Sequence, residues 1–160
     1  MKKKIGTITL SDLTFLSDPC YGTETWCNDV MHTIPGEYNV FVTICESRDS
    51  WLKGRISSIL AIHKDYTKFL KGMPKDDSED IYCGVDSGTC GIFNAEYFEK
   101  FHDEQGVEDE WYNKNVIQMG DYNICDGLGA ISSSGCGDGN YPVFAEYKGD
   151  NAFAIRIKFL

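Results

Sequence analysis

Gly36-Glu37-Tyr38-Asn39-Val40-Phe41-Val42-Thr43-Ile44-Cys45-Glu46 reads as a β-strand. Tyr38, Val40, Val42 and Ile44 alternate with Asn39, Phe41, Thr43 and Cys45. That period of two places successive side chains on opposite faces of a sheet. The opening of this stretch recurs: Gly139-Asn140-Tyr141-Pro142-Val143-Phe144 repeats the pattern Gly-x-Tyr-x-Val-Phe. Each copy follows a turn-forming residue, Pro35 or Asp138, and each opens a strand that another strand follows. Two hairpins related by a pseudo-twofold axis are one reading, and chance likeness between aromatic-rich strands is the other. Pro142 lacks a backbone N–H, so the second copy is expected at a sheet edge or at the start of its strand.

Working outward, Lys4–Leu10 and Leu13–Ser17 read as a short β pair turning at Ser11-Asp12. Residues 18–33 form a long irregular segment of the kind that often carries function. Arg55–His63 fits a strand, with a helix over Trp51–Lys64 as the alternative. Asp65–Asp80 is a charged connector. Ile81–Asp86 and Cys90–Phe93 are two short strands about Ser87-Gly88. Asn94 caps a helix over Ala95–His102, its side chain accepting an early backbone N–H. Glu108–Gln118 is a second helical stretch. Leu128–Ser134, Tyr141–Lys148 and Ala152–Leu160 close the chain as strands. The expectation is one α+β domain over residues 1–160. It is mainly antiparallel sheet, a sandwich or partly open barrel, with one or two helices between residues 94 and 118.

The 160 residues are 42% apolar and 13% aromatic, which excludes disorder as the main state. No apolar run approaches the roughly 20 residues of a membrane helix. Met1-Lys2-Lys3-Lys4 opens like a signal peptide, but Ile5 to Asp18 has no continuous apolar region. A soluble, cytoplasmic protein is the expectation. The net charge of −10 is unevenly spread: residues 1–75 carry ten Lys/Arg and eight Asp/Glu, residues 76–160 five and seventeen. Such an acidic half disfavours direct contact with nucleic acid phosphates or an anionic membrane. It suits a protein partner with a basic surface. The candidate contact residues are Asp76, Asp77, Glu79, Asp80, Glu108, Asp109, Glu110 and Trp111. A plain solubilising face is the alternative.

Three turns place a carboxylate beside small residues: Asp18-Pro19-Cys20-Tyr21, Asp86-Ser87-Gly88-Thr89 and Gly137-Asp138-Gly139-Asn140. Converged, Asp18, Asp86 and Asp138 would make the hard-oxygen site that Ca or Mg prefers, with Ser134 or Asn140 adding oxygens. Alternatively, each Asp simply accepts backbone hydrogen bonds within its turn. Cysteines occur twice as Cys-x6-Cys, at Cys20/Cys27 and Cys83/Cys90, a spacing wider than that of a zinc knuckle. Seven cysteines cannot all pair internally. His32, His63 and His102 are the histidines available as bases, and no hydrolase elbow, zinc-protease or phosphate-loop motif accompanies them. No catalytic residue is assigned.

Asp18-Pro19-Cys20-Tyr21, Pro35-Gly36-Glu37-Tyr38-Asn39-Val40, Gly84-Val85-Asp86-Ser87-Gly88 and Ser133-Ser134-Gly135-Cys136-Gly137-Asp138-Gly139-Asn140-Tyr141-Pro142-Val143 occur in that order. Together they resemble an uncharacterised family of small bacterial and phage proteins, the domain of unknown function numbered 4241 or a close relative of it. Cys136 stands where that family has an aromatic residue, which argues against a nucleophilic role for it. The resemblance implies a mainly β fold and recurring Asp-bearing turns, and no established reaction. The expected function is non-enzymatic: an acidic binding protein, in one form a phage-type inhibitor of a host nuclease or other defence protein. A metal-assisted or carboxylate-based hydrolase at the Asp turns is the alternative.

Overall fold

The computed structural model describes residues 1–74 and 76–160, apart from the side chains of residues 76–80. Asp76, Asp77, Glu79 and Asp80 were candidate partner contacts, and their side chains lie outside this description. Two antiparallel sheets pack face to face without closing into a barrel. The strands are β1 (Lys2–Leu10), β2 (Leu13–Ser17), β3 (Asp29–His32), β4 (Gly36–Ile44), β5 (Ile56–His63), β6 (Asp76–Val85), β7 (Thr89–Asn94), β8 (Tyr122–Cys125), β9 (Gly129–Ser133), β10 (Gly139–Lys148) and β11 (Asn151–Lys158). The six-stranded sheet runs β1-β4-β5-β11-β10-β6, and the five-stranded sheet runs β3-β2-β7-β9-β8. The α+β sandwich expected from the periodicities is the architecture observed.

The alternation in β4 is read out directly, since Tyr38, Val40 and Val42 are fully buried between the sheets. They join Ile8, Ile59, Ile92, Val143, Ile155 and Ile157 in one core contributed by both sheets. Burying an aliphatic or aromatic side chain of this size contributes roughly 1.5–3 kcal/mol. A second cluster lies on the outer face of the five-stranded sheet. There α1 (Ala95–Phe101) and α2 (Asp109–Tyr112), which continues as a π turn over Asn113–Ile117, cover Phe15, Phe93 and Ile131. At seven residues α1 is too short to be stable alone. The Asn94 side chain caps it by accepting from Tyr97 N–H, and Tyr97 and Phe98 are buried beneath it. A third cluster of Leu60, Ile62, Phe153 and Ala154 sits on the outer face of the six-stranded sheet. Tyr66 and Leu70, from a 3₁₀ turn over Lys64–Phe69 and the residue after it, pack against it.

Two halves of the chain trace the same path. β1, β2, β3, β4 and β5 take the places that β6, β7, β9, β10 and β11 take in the second half, and β8 is additional. The central pairs obey the same twofold relation. Ile59 pairs with Ile157 and Ala61 with Ile155, so the Leu60–Arg156 pair lies on the axis. In the other sheet, Phe15 pairs with Phe93 and Leu16 with Ile92 about an equivalent axis. The pseudo-twofold read from the Gly-x-Tyr-x-Val-Phe echo therefore extends beyond the hairpins to five strands per half.

Several local expectations are corrected. β1 and β2 do not pair; Ser11-Asp12 carries the chain from one sheet to the other, so β1 pairs with β4 and β2 with β3 and β7. Likewise β6 and β7 belong to different sheets. β6 begins at Asp76, inside the segment read as a connector. Pro142 is neither at a sheet edge nor at a strand start, because β10 lies between β11 and β6. Its missing N–H is tolerated because the β10–β6 register shifts between Pro142 and Phe144.

Candidate functional site

The three Asp-bearing turns meet at one end of the sandwich. Asp18 leaves β2 and is fully buried. One carboxylate oxygen accepts from Cys20 N–H at 2.9 Å and from the Ser87 hydroxyl at 2.7 Å. The other accepts from Asp86 N–H at 2.8 Å and Ser87 N–H at 2.7 Å. Four donors replace the water that a buried carboxylate loses. The Asp86 carboxylate in turn accepts from the Tyr21 hydroxyl, and that bond pushes the Tyr21 phenol up to about 12. Gly139 pairs with Val85, so Asp138 leaves the sheet beside Asp86, exposed to solvent. The Ser134 and Tyr141 hydroxyls both donate to the Gly137 carbonyl, at 2.6 and 2.7 Å. Among the described residues, no three His, Cys, Asp or Glu side chains are grouped so as to hold a metal ion.

The same corner contains a disulfide, Cys83–Cys90, which ties β6 of one sheet to β7 of the other. This bond takes two of the four sulfurs that a zinc site at Cys20, Cys27, Cys83 and Cys90 would need. Cys20 and Cys27 carry free thiols. Burial pushes the Cys20 thiol up, and pushes that of Cys27 up to about 11, so neither is a ready thiolate at neutral pH.

The helical layer over the five-stranded sheet presents its charge outward. Glu96, Glu99, Asp103, Glu104, Glu108, Asp109 and Glu110 are all exposed along residues 96–110, with Lys100 the cation in that stretch. Glu99, Asp103 and Glu108 border a hollow of about 440 Å³ between α1 and the start of α2. Three of the proposed contacts, Glu108, Asp109 and Glu110, therefore stand on an open surface. Trp111 does not. It is 3% exposed, because α2 turns its apolar face onto Phe93 and Phe101. Its indole N–H donates to the Tyr97 hydroxyl at 2.8 Å, which makes it a core residue and not a partner contact.

From Trp111 a polar chain runs to the surface. The Tyr97 hydroxyl donates to one oxygen of Asp126 at 2.6 Å, and Lys114 donates to the other at 2.8 Å. The Lys114 and Tyr97 bonds hold the Asp126 carboxyl below the usual carboxylate range, while burial pushes the Tyr97 phenol up. Asp126 sits at φ +50°, the left-handed region that Asp tolerates in turns. The chain thus locks α1, α2 and the β8–β9 turn together beneath the acidic surface. Sequence reasoning did not find Asp126, whose one local signal is the Asp126-Gly127 turn pair.

His102 closes the C-terminal end of α1 beside the exposed Asp103, and it is 2% exposed. It stacks on Phe98 with 3.9 Å between centroids and meets Trp111 edge-on at 4.7 Å. Nδ1 lies 2.9 Å from the Phe98 carbonyl and Nε2 3.0 Å from that of Pro19. It joins the Asp18 corner to the helical layer. No helix among the described residues is long and apolar enough to cross a membrane. Comparisons with protein-family models, with curated proteins and with solved structures found no match.

Proposed function

We propose that this chain is a non-enzymatic binding protein whose acidic helical face docks on a basic surface of a protein partner. The observation that carries the reading is the run of seven exposed carboxylates from Glu96 to Glu110, fixed on a layer that is rigidly packed underneath. The packed layer fixes where their backbone anchors stand, while each exposed side chain still gives up rotamer freedom on docking. Surfaces that handle nucleic acid are basic, and a row of carboxylates can take the place of phosphates there. One concrete form of such a partner is a host nuclease or other defence protein with a nucleic-acid-binding surface. The hydrolase alternative at Asp18, Asp86 and Asp138 is less well supported, because Asp18 is fully buried and each of its two oxygens already accepts two hydrogen bonds.

The test compares the protein with a Glu108→Lys/Asp109→Lys/Glu110→Lys variant in capturing partners from host lysate. Captured protein should be lost in the variant while its circular dichroism is unchanged. It should also be lost as salt approaches about 1 M, where screening acts within about 3 Å. A complex indifferent to both changes overturns the reading.

A further inference from the structure

On the other side of the sandwich, a hollow of about 390 Å³ opens between the 3₁₀ turn and the β10–β11 hairpin. It is lined by Tyr66, Phe69, Glu146, Tyr147, Lys148 and Phe153. Tyr66 is central. Phe153 stacks against it at 5.6 Å between centroids, and Phe69 tilts against it at 5.8 Å. The wall is incompletely covered, and Phe69 is 55% exposed. Two ammonium groups of the chain already stand over these rings: Lys148 Nζ lies 5.0 Å from the Tyr66 centroid and Lys68 Nζ 5.1 Å from that of Phe69. Both distances fall within the reach of cation–π attraction. Glu146 borders the same hollow half-buried, and among the described residues its carboxylate has no ion pair or hydrogen bond.

We propose that this hollow is a binding site for an alkylated ammonium group. Aromatic faces attract such a cation through their quadrupoles, and its methyl groups fill apolar space that a bare, strongly hydrated ammonium cannot. The Glu146 carboxylate supplies the counter-charge inside the hollow. Lys148 acts as a resident placeholder. Its ammonium marks where the ligand head sits, and the ligand displaces it toward solvent. Two sources offer this chemistry, a free quaternary amine such as choline and a methylated lysine side chain on a peptide.

Titration of the intact protein by NMR tests the site, with tetramethylammonium, choline, a trimethyllysine peptide and 3,3-dimethyl-1-butanol, the uncharged analogue of choline. Saturable shifts at Tyr66, Phe69 and Phe153 are expected with the cations, and binding at least about tenfold weaker with the neutral analogue. Phe69→Ala and Glu146→Gln should weaken binding severalfold, and Lys148→Gln should strengthen it. Phe69 and Lys148 are exposed, so their replacement leaves the core intact. A peptide that binds more tightly than choline assigns the site to protein tails; the reverse assigns it to free amines. Equal shifts from choline and its neutral analogue, or no saturable shift from any cation, overturn the proposal. Glu108, Asp109 and Glu110 lie across the other sheet, so failure here leaves the acidic-face reading standing and the reverse also holds.

Discussion

The Tyr38 hydroxyl donates to the carbonyl of Ile34, and the Tyr141 hydroxyl to that of Gly137, each four residues upstream and each at 2.7 Å. The rings they face correspond too: His63 meets Tyr38 edge-on at 5.0 Å and Phe159 meets Tyr141 edge-on at 5.1 Å. The leading glycines complete the match, with Gly36 at φ +145° and Gly139 at φ +153°, a region that side chains rarely enter. Gly-x-Tyr-x-Val-Phe is therefore a corner motif: the glycine turns the chain into the sheet, and the tyrosine pins the entering loop from inside the core.

The two pins are not equally costly to remove. Tyr38 also reaches the Ala152 carbonyl at 3.0 Å, and its environment is fully buried. The Gly137 carbonyl that Tyr141 serves keeps a second donor, the Ser134 hydroxyl. Tyr38→Phe should destabilise by about 1–3 kcal/mol, and Tyr141→Phe by about 1 kcal/mol or less. Urea unfolding of both single variants measures the order. An equal or reversed cost would show that the hydroxyls are not what distinguishes the halves.

The pinned strands are also the part of the fold most open to reading from sequence. In β4 and β11 an apolar face is long enough for the period of two to show, whereas β5 is buried on both faces and its sequence also admits a helix. β3 and β8 have four residues each and lie among Asn, Asp and Gly, so no periodicity marks them. Periodicity identifies a strand and not its partner, which is why β1 and β2 were read as a hairpin although they lie in opposite sheets. At the candidate site, sequence picked out Asp18, Asp86 and Asp138 but not that Asp18 faces inward. For Trp111, spacing placed it on a helix without saying which face is covered. That depends on Phe93 and Tyr97, which come from β7 and α1.

Asp18 supplies a sharper test, because its role is to hold the β6–β7 turn. Asp18→Asn keeps the size and removes two acceptor positions, turning an amide group toward donors it cannot satisfy. Breaking a buried, charge-assisted network of this kind costs about 2–4 kcal/mol. Thermal unfolding should show the loss, and hydrogen exchange at the Asp86 and Ser87 amides should accelerate first. Slow exchange retained at both amides in the variant would remove Asp18 from this role.

The disulfide acts on the same junction through the unfolded chain. Cys83 and Cys90 are seven residues apart, so the loop entropy removed corresponds to roughly 2–3 kcal/mol. Cys83→Ser/Cys90→Ser should lower stability by about that amount. The effect of the double variant should match that of reductant on the native protein. Since the bond joins the sheets, reductant should also speed exchange in the central strands β2 and β7. A reductant effect confined to the Ser87-Gly88 turn would argue against that coupling.

His102 sets two physical effects against each other, and their balance fixes how the fold responds to acid. Burial disfavours the imidazolium, while the Pro19 and Phe98 carbonyls and the nearby Asp103 favour it. Burial is the larger, so the folded-state pKa lies below the ordinary value of about 6.5. The unfolded chain then takes up the proton first. His102 therefore stabilises the fold fully above about pH 6.5, and this contribution is lost as pH falls through the lower folded-state value. A neutral ring donates from one nitrogen only, so one of the two carbonyls faces a lone pair. Protonation would satisfy both carbonyls but leave an ion buried against Phe98 and Trp111. The expected result is an imidazole that titrates by NMR below the ordinary value of about 6.5 and a urea midpoint that drops as pH falls below that value. In His102→Gln that drop should shrink, although the variant is less stable throughout for want of the ring stacking. Titration of His102 above about 6.5 in the folded protein would mean that the two carbonyls outweigh burial, and the acid response would then have the opposite sign.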